Sequence, residues 1–121
     1  MSENAPLGSL YGVVFECPVP AELAAFYRAV LGGVLDPDDD EWVDLILPGG
    51  GLRLGFQRVP AYVPPEWPGD SGAQQAHLDI AVGDLDAAEQ SLIALGARLM
   101  DTQATFRVYV DPVGHPFCTV H

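Results

Sequence analysis

The stretch "HLDIAV" (77–82) sets an imidazole, His77, two positions ahead of a carboxylate, Asp79. These residue types suit two chemistries. An imidazole with a pKa near 6.5 exchanges a proton close to neutral pH, so His77 is the candidate catalytic residue, with Glu16 or Asp79 as its acidic partner. Imidazole, carboxylate and thiol are also ligands for transition metals, which brings in Cys118 and, further off, His115. Arg53 is a third kind of group: an inward guanidinium clamps a carboxylate or phosphate. Each has a plainer role beside the chemical one. His77 can hydrogen-bond across strands, Cys118 can serve as a small inward hydrophobe, Arg53 can pair with one of the chain's many acids, Glu16 or Asp79 being the expected partner, and His115 can be part of a Gly-His-Pro turn.

Side-chain alternation decides which of these groups share a face. In "HLDIAV", Leu78, Ile80 and Val82 are the apolar set and belong against helices. His77, Asp79 and Ala81 then take the opposite face. "LYGVVFEC" (10–17) has the same phase, with Gly12, Val14 and Glu16 on that side and Cys17 in the core. "LRLGFQ" (52–57) sends Leu52, Leu54 and Phe56 toward the helices and Arg53, Gly55 and Gln57 to the opposite face with His77, and "FCTV" adds Cys118. Val14, Glu16, Arg53, Gln57, His77, Asp79 and Cys118 are therefore the candidate ligand-binding residues, a mixed lining that suits an organic molecule with a polar head.

The elements that carry them recur. Pro20, Glu22 and Gly32 mark the start, first turn and end of a helix with Leu23, Phe26 and Val30 on one face. Asp84 is an N-cap ahead of a second helix with Leu85, Ala88, Leu92 and Leu95 as its stripe, closed by Gly96. Residues 33–59 read as short strands broken by "PDDD" and "PGGG"; "RLMD", "FRVYVD" and "PFCTV" are three more strands, with "DPVGHP" as a turn. The chain thus reads strand, helix, strand, strand, strand twice, over 10–59 and 75–121. Between lie the Pro-rich residues 60–74, a linker or lid in which Tyr62 and Trp67 either cap a ligand or, the better reading, plug a gap between the halves. Residues 1–9 read as a flexible tail.

Composition narrows the partners. The 121 residues suit one small globular protein, and 49 % hydrophobic content supports a packed core. Five basic residues against 17 acidic ones, a formal charge of -12, disfavour nucleic acid and anionic membrane surfaces. The first basic residue is Arg28, with no apolar run before it, so no secretory leader is expected. Two cysteines are too few for a disulfide framework and read as reduced thiols of a cytoplasmic protein. "PGGGL" lacks the Lys-Ser/Thr of a phosphate loop, and "DPDDDE" (36–41) lacks the glycine and distal glutamate of a calcium loop.

"AAFYRAVLGG", "HLDIAVGDLDAAEQSLIALGA" and "DPVGHPFCTV" together resemble the vicinal oxygen chelate superfamily of glyoxalase I, bleomycin-resistance proteins and extradiol dioxygenases, and most of all its small bacterial glyoxalase-like domain proteins. The resemblance implies an α+β fold of two βαβββ modules, with sheets curved around a cleft and helices outside. In metal-dependent members four inward side chains hold a divalent ion. The matching positions here are Gly12, the Arg53/Gly55 region, His77 and Cys118, so only His77 keeps its type. The expectation is accordingly no metal and no other cofactor. Three functions stay open: binding of a small organic ligand without a metal; catalysis of lyase, isomerase or dioxygenase type using His77 with Glu16 or Asp79, with or without a metal; and a partner-binding module. Members with two modules often pair, so a homodimer is expected. Light scattering over a wide concentration range should give twice the chain mass; a constant monomer mass would contradict it.

Overall fold

The computed structural model describes residues 6, 9–65 and 76–121. Most of the expected tail, the far part of the linker and Trp67 lie outside the described residues. The chain divides into two compact units, Met1–Arg58 and Val59–His121.

The first unit runs β1 (Gly12–Cys17), α1 (Pro20–Leu31), β2 (Val34–Asp39), β3 (Trp42–Ile46) and β4 (Arg53–Arg58). The second runs β5 (Leu78–Ala81), α2 (Leu85–Ala94), β6 (Arg98–Thr102), β7 (Phe106–Val110) and β8 (Pro116–Val120). The sheet orders are β1-β4-β3-β2 and β5-β8-β7-β6, so the two units share one topology and the internal repeat is structural. In each, the first strand pairs parallel with the last, and the remaining pairings are antiparallel. This is the α+β fold of two βαβββ modules that the sequence implies. No helix among the described residues is long and apolar enough to cross a membrane.

The helices form where the signals place them. Pro20 opens α1 with Glu22 in the first turn, and the Gly32 N–H donates to Arg28 O at 2.8 Å to close it. Asp84 caps α2, its carboxylate accepting from the N–H groups of Asp86 and Ala87. The buried faces are narrower or shifted relative to the expected stripes. In α1, Ala24 and Tyr27 join Leu23 and Phe26 in the core while Val30 is only half-buried. In α2 only Leu92 is buried, and Leu95, the C-cap, is 41 % exposed. A residue past the last helical turn no longer follows the helix's angular period, so the stripe ends at Leu92.

Tyr27, Phe15 of β1 and Phe56 of β4 form a triangle of stacked rings, with centroids 5.6, 5.8 and 5.9 Å apart. This aromatic layer covers the helix side of the first sheet, and Cys17 is buried at its edge. The "PDDD" segment is not wholly a turn. β2 continues through Pro37 to Asp39, with a bulge between them, and the turn follows at Asp40 and Glu41. An edge strand tolerates proline because its outward N–H has no ladder partner to lose. Asp39 then caps the turn, accepting from the N–H groups of Glu41 and Trp42.

The link from α1 into β2 admits only glycine at residue 33. Gly33 has φ 102°, and a Cβ there would lie 2.4 Å from Ile46 O. Gly33→Ala should cost on the order of 1–3 kcal/mol or more in urea unfolding, whereas Gly51→Ala, where a Cβ meets nothing within 4 Å, should leave the midpoint unchanged.

Candidate functional site

Each unit presents polar side chains on the face opposite its helix. In the second unit, His77 stands one residue before β5, and Asp79 is the second residue of the strand. Ile80 turns inward and is buried while Asp79 and Ala81 are exposed, the phase that alternation demands. Register sets Asp79 directly against Cys118 of β8. His77 Nε2 lies 3.1 Å from Asp79 Oδ1. One donor atom from each of His77, Asp79 and Cys118 falls within 4.8 Å of the others. These three border a cavity of about 350 Å³ walled by Thr105, Phe106 and Val120, with His121 at its side.

The three groups are unequal in solvent. The His77 and Asp79 side chains are 36 % and 60 % exposed, whereas Cys118 is buried. Burial pushes the Cys118 thiol above its ordinary range, and the negative charge of Asp79 pushes it further the same way. Cys118 is thus a thiol at neutral pH and no ready nucleophile, since the thiolate is the reactive form.

In the first unit, Arg53 opens β4 and faces a smaller cavity of about 180 Å³. Its Nη1 donates to Asp44 Oδ2 at 3.1 Å, and Trp42 Nε1 donates to the other oxygen, Oδ1, at 2.8 Å. The Tyr11 ring covers the guanidinium at 4.6 Å, a cation–π contact. Glycines floor this cavity for lack of room: a Cβ on Gly12 would be 2.6 Å from Arg53 O, and one on Gly55 would be 2.8 Å from the Trp42 ring. Val14, 49 % exposed, forms an apolar wall.

The structure therefore groups the seven sequence candidates by unit. His77, Asp79 and Cys118 converge in the second. Val14 and Arg53 share a cavity in the first, while Glu16 and Gln57 are exposed register partners further along β1 and β4. The expected acid partner of Arg53, Glu16 or Asp79, is replaced by Asp44. Glu16 aligns with Gln57, four residues along β4 from Arg53 and so roughly 13 Å away. Asp44 lies diagonally across the β3–β4 pair and is within reach. Sequence reasoning had no register for β3, so it passed over Asp44, Trp42 and Tyr11. It also passed over Phe106 and Val120, which become neighbours through β7–β8 pairing.

Tyr62 is tied to a turn of its own unit. Its hydroxyl donates to Val113 O at 2.9 Å and approaches His115 Nε2 at 3.3 Å, fastening the first linker residues to the 111–116 turn of the second unit. A half-buried phenol needs a polar partner, and the turn carbonyl is one. His115 belongs to that turn, its N–H donating to the buried Asp111 carboxylate.

The glyoxalase-like domain family matches residues 12–120. The chain belongs to this family. Its fold recurs in solved structures of low identity. A glyoxalase/bleomycin resistance protein/dioxygenase family enzyme from Burkholderia phytofirmans PsJN is 18 % identical, with 93 % of this chain and 97 % of that one covered, at TM-score 0.73. A protein described as a possible glyoxalase from Bacillus cereus is 11 % identical, covering 96 % and 100 %, at 0.69. A glyoxalase/bleomycin resistance protein from Albidiferax ferrireducens T118 is 16 % identical, covering 93 % and 97 %, at 0.64. No curated protein shows a significant match. The four-point metal chelate of metal-dependent superfamily members does not fit this glyoxalase-like chain. Gly12 has neither a donor nor room for one, and Arg53 places a cation, already paired with Asp44, at the next position.

The raised thiol pKa of Cys118 has a direct readout. In a Cys17→Ser background, alkylation at pH 7 should be severalfold slower in the folded than in the unfolded chain, and should climb with pH only beyond the range of a free cysteine. Asp79→Asn removes one of the two causes and should speed the folded reaction at fixed pH. Equal rates in folded and unfolded chains would refute the assignment.

Proposed function

We propose that the protein binds a small organic molecule with an anionic head, using Arg53 as the clamp, and that this recognition requires no metal. The observation that carries the reading is the state of Arg53. Its guanidinium is bound to Asp44 through Nη1 alone, is covered by the Tyr11 ring, and borders an open cavity. A guanidinium grips a carboxylate best through two parallel N–H groups. A ligand carboxylate can take that fork while Asp44 keeps its bond to the Trp42 indole. Val14 and the Trp42 ring provide apolar surface for the rest of the molecule. The chain's charge of -12 opposes long-range attraction of anions, but salt screens charges beyond roughly 8–10 Å and leaves the contact with Arg53. The names of the structural neighbours, glyoxalase and bleomycin-resistance proteins, are in keeping with a small-molecule ligand. In this reading the protein is a homodimer and works in the cytoplasm, which suits two buried thiols outside any disulfide.

A second reading rests on the 3.1 Å contact of His77 with Asp79. A carboxylate that orients an imidazole makes an acid–base pair, so His77 would shuttle a proton in a lyase, isomerase or dioxygenase type of reaction.

A thermal-shift screen of small organic carboxylates and their amides tests the first reading. Carboxylates should raise the melting temperature and amides should not. Arg53→Ala should weaken the best binder by about 1.5–3 kcal/mol, the worth of hydrogen bonds to a charged group, and Arg53→Lys should restore little, for want of the fork. Affinity unchanged in Arg53→Ala would overturn it, and turnover abolished by His77→Ala would favour the second reading.

A further inference from the structure

We propose that the Arg53 cavity takes its ligand as a zwitterion, an α-amino acid with a short apolar side chain, Arg53 meeting the carboxylate and Asp44 the ammonium. The inference rests on the reading of Arg53 as a clamp and names the molecule it holds. Asp44 is the observation that carries it. Its carboxylate borders the same cavity as Arg53. It accepts one hydrogen bond at each oxygen, from Arg53 Nη1 at 3.1 Å and from Trp42 Nε1 at 2.8 Å. A carboxylate oxygen has two lone pairs, so each keeps room for a further donor. On the guanidinium, Nε and Nη2 have no hydrogen-bond partner among the described residues. The cavity thus offers donors and acceptors side by side, and a plain anion uses only the donors. Asp44, which makes the site two-signed, stands on β3, outside the first and last strands from which the superfamily draws its chelate.

Charge decides between an anion and a zwitterion. Arg53 and Asp44 already neutralise one another. An added carboxylate leaves this half-buried site with a net negative charge and sets two carboxylates on one guanidinium, where they repel. An ammonium on the same molecule meets Asp44 and returns the site to neutrality. The chain's formal charge of -12 acts in the same direction. It opposes the approach of an anion, and not that of a molecule with no net charge.

Spacing decides which zwitterion. The two protein charges are in contact at 3.1 Å, so the two ligand charges must be neighbours as well. An α-amino acid carries both on one carbon, whereas an ω-amino acid holds them apart. Size limits the rest of the molecule. The cavity measures about 180 Å³, below the roughly 300–1,000 Å³ of a cleft for a drug-sized ligand. The side chain is therefore confined to a few carbons. Val14 and the Trp42 ring are the surfaces those carbons meet, which makes them apolar.

Isothermal titration of the full-length chain with four related molecules is the test: valine, its deaminated analogue isovalerate, its amide valinamide, and δ-aminovalerate, in which the same two charges stand apart. Valine should bind more tightly than each of the others by about tenfold or more, the worth of a hydrogen bond between charged groups. Asp44→Asn should erase the preference for valine over isovalerate, because an amide neither attracts the ammonium nor repels the second carboxylate. Arg53→Ala should weaken both. The comparison among ligands is made on the unaltered chain, so it decides the matter whether or not Asp44→Asn folds. Isovalerate or δ-aminovalerate bound as tightly as valine would overturn the inference while leaving the Arg53 clamp in place. A preference for valine that survives Asp44→Asn would overturn the role of Asp44. No binding of either valine or isovalerate would overturn both the inference and the clamp.

Discussion

The parallel pairing of the first strand of each unit with its last is the constraint on which the functional surface depends. A parallel pair needs a long crossover, and here the helix and two further strands make up that connection. The pairing brings together residues about forty positions apart: Gly12 with Arg53 in the first unit and Asp79 with Cys118 in the second. Every candidate group other than Asp44 and Trp42 sits on these four strands or, like His77 and Tyr11, immediately beside one. A one-residue slip would turn Asp79 and Cys118 to the helix side and bring Ile80 and Thr119 out. The slip is opposed because Ile80, Phe117 and Thr119 are buried in the packed interior.

The two units solve the same topology with different chemistry. The first puts an aromatic layer of Phe15, Tyr27 and Phe56 under its sheet and a charged network of Arg53, Asp44 and Trp42 above it. The second stacks Tyr109 on Phe117 within its interior and places a thiol among acid and imidazole outside. Arg53 is one of only five basic residues, and it lies half-buried between its partner Asp44 and the Tyr11 ring. The second unit presents an imidazole, a carboxylate and a thiol along its own first and last strands. Arginine and soft donors thus lie on homologous surfaces of one repeat, a division that the shared fold by itself does not require.

What the sequence determined alone was the periodic part. Strand alternation in "HLDIAV" and "LRLGFQ", the Pro20 and Asp84 helix starts, and the glycines at 32 and 96 are local signals, readable within a turn or a pleat, and with the repeat they led to the α+β fold and to the exposed face of His77, Asp79, Glu16 and Gln57. Partnership was a different matter. Asp44 rather than Glu16 as the mate of Arg53, Tyr62 fastened to the 111–116 turn, and Cys118 drawn against Asp79 are decided by strand register and by which polar groups lose water together. Register depends on contacts between residues far apart in the chain, and desolvation depends on what finally covers each group. Neither is written in a local pattern, so both were settled only by the tertiary structure.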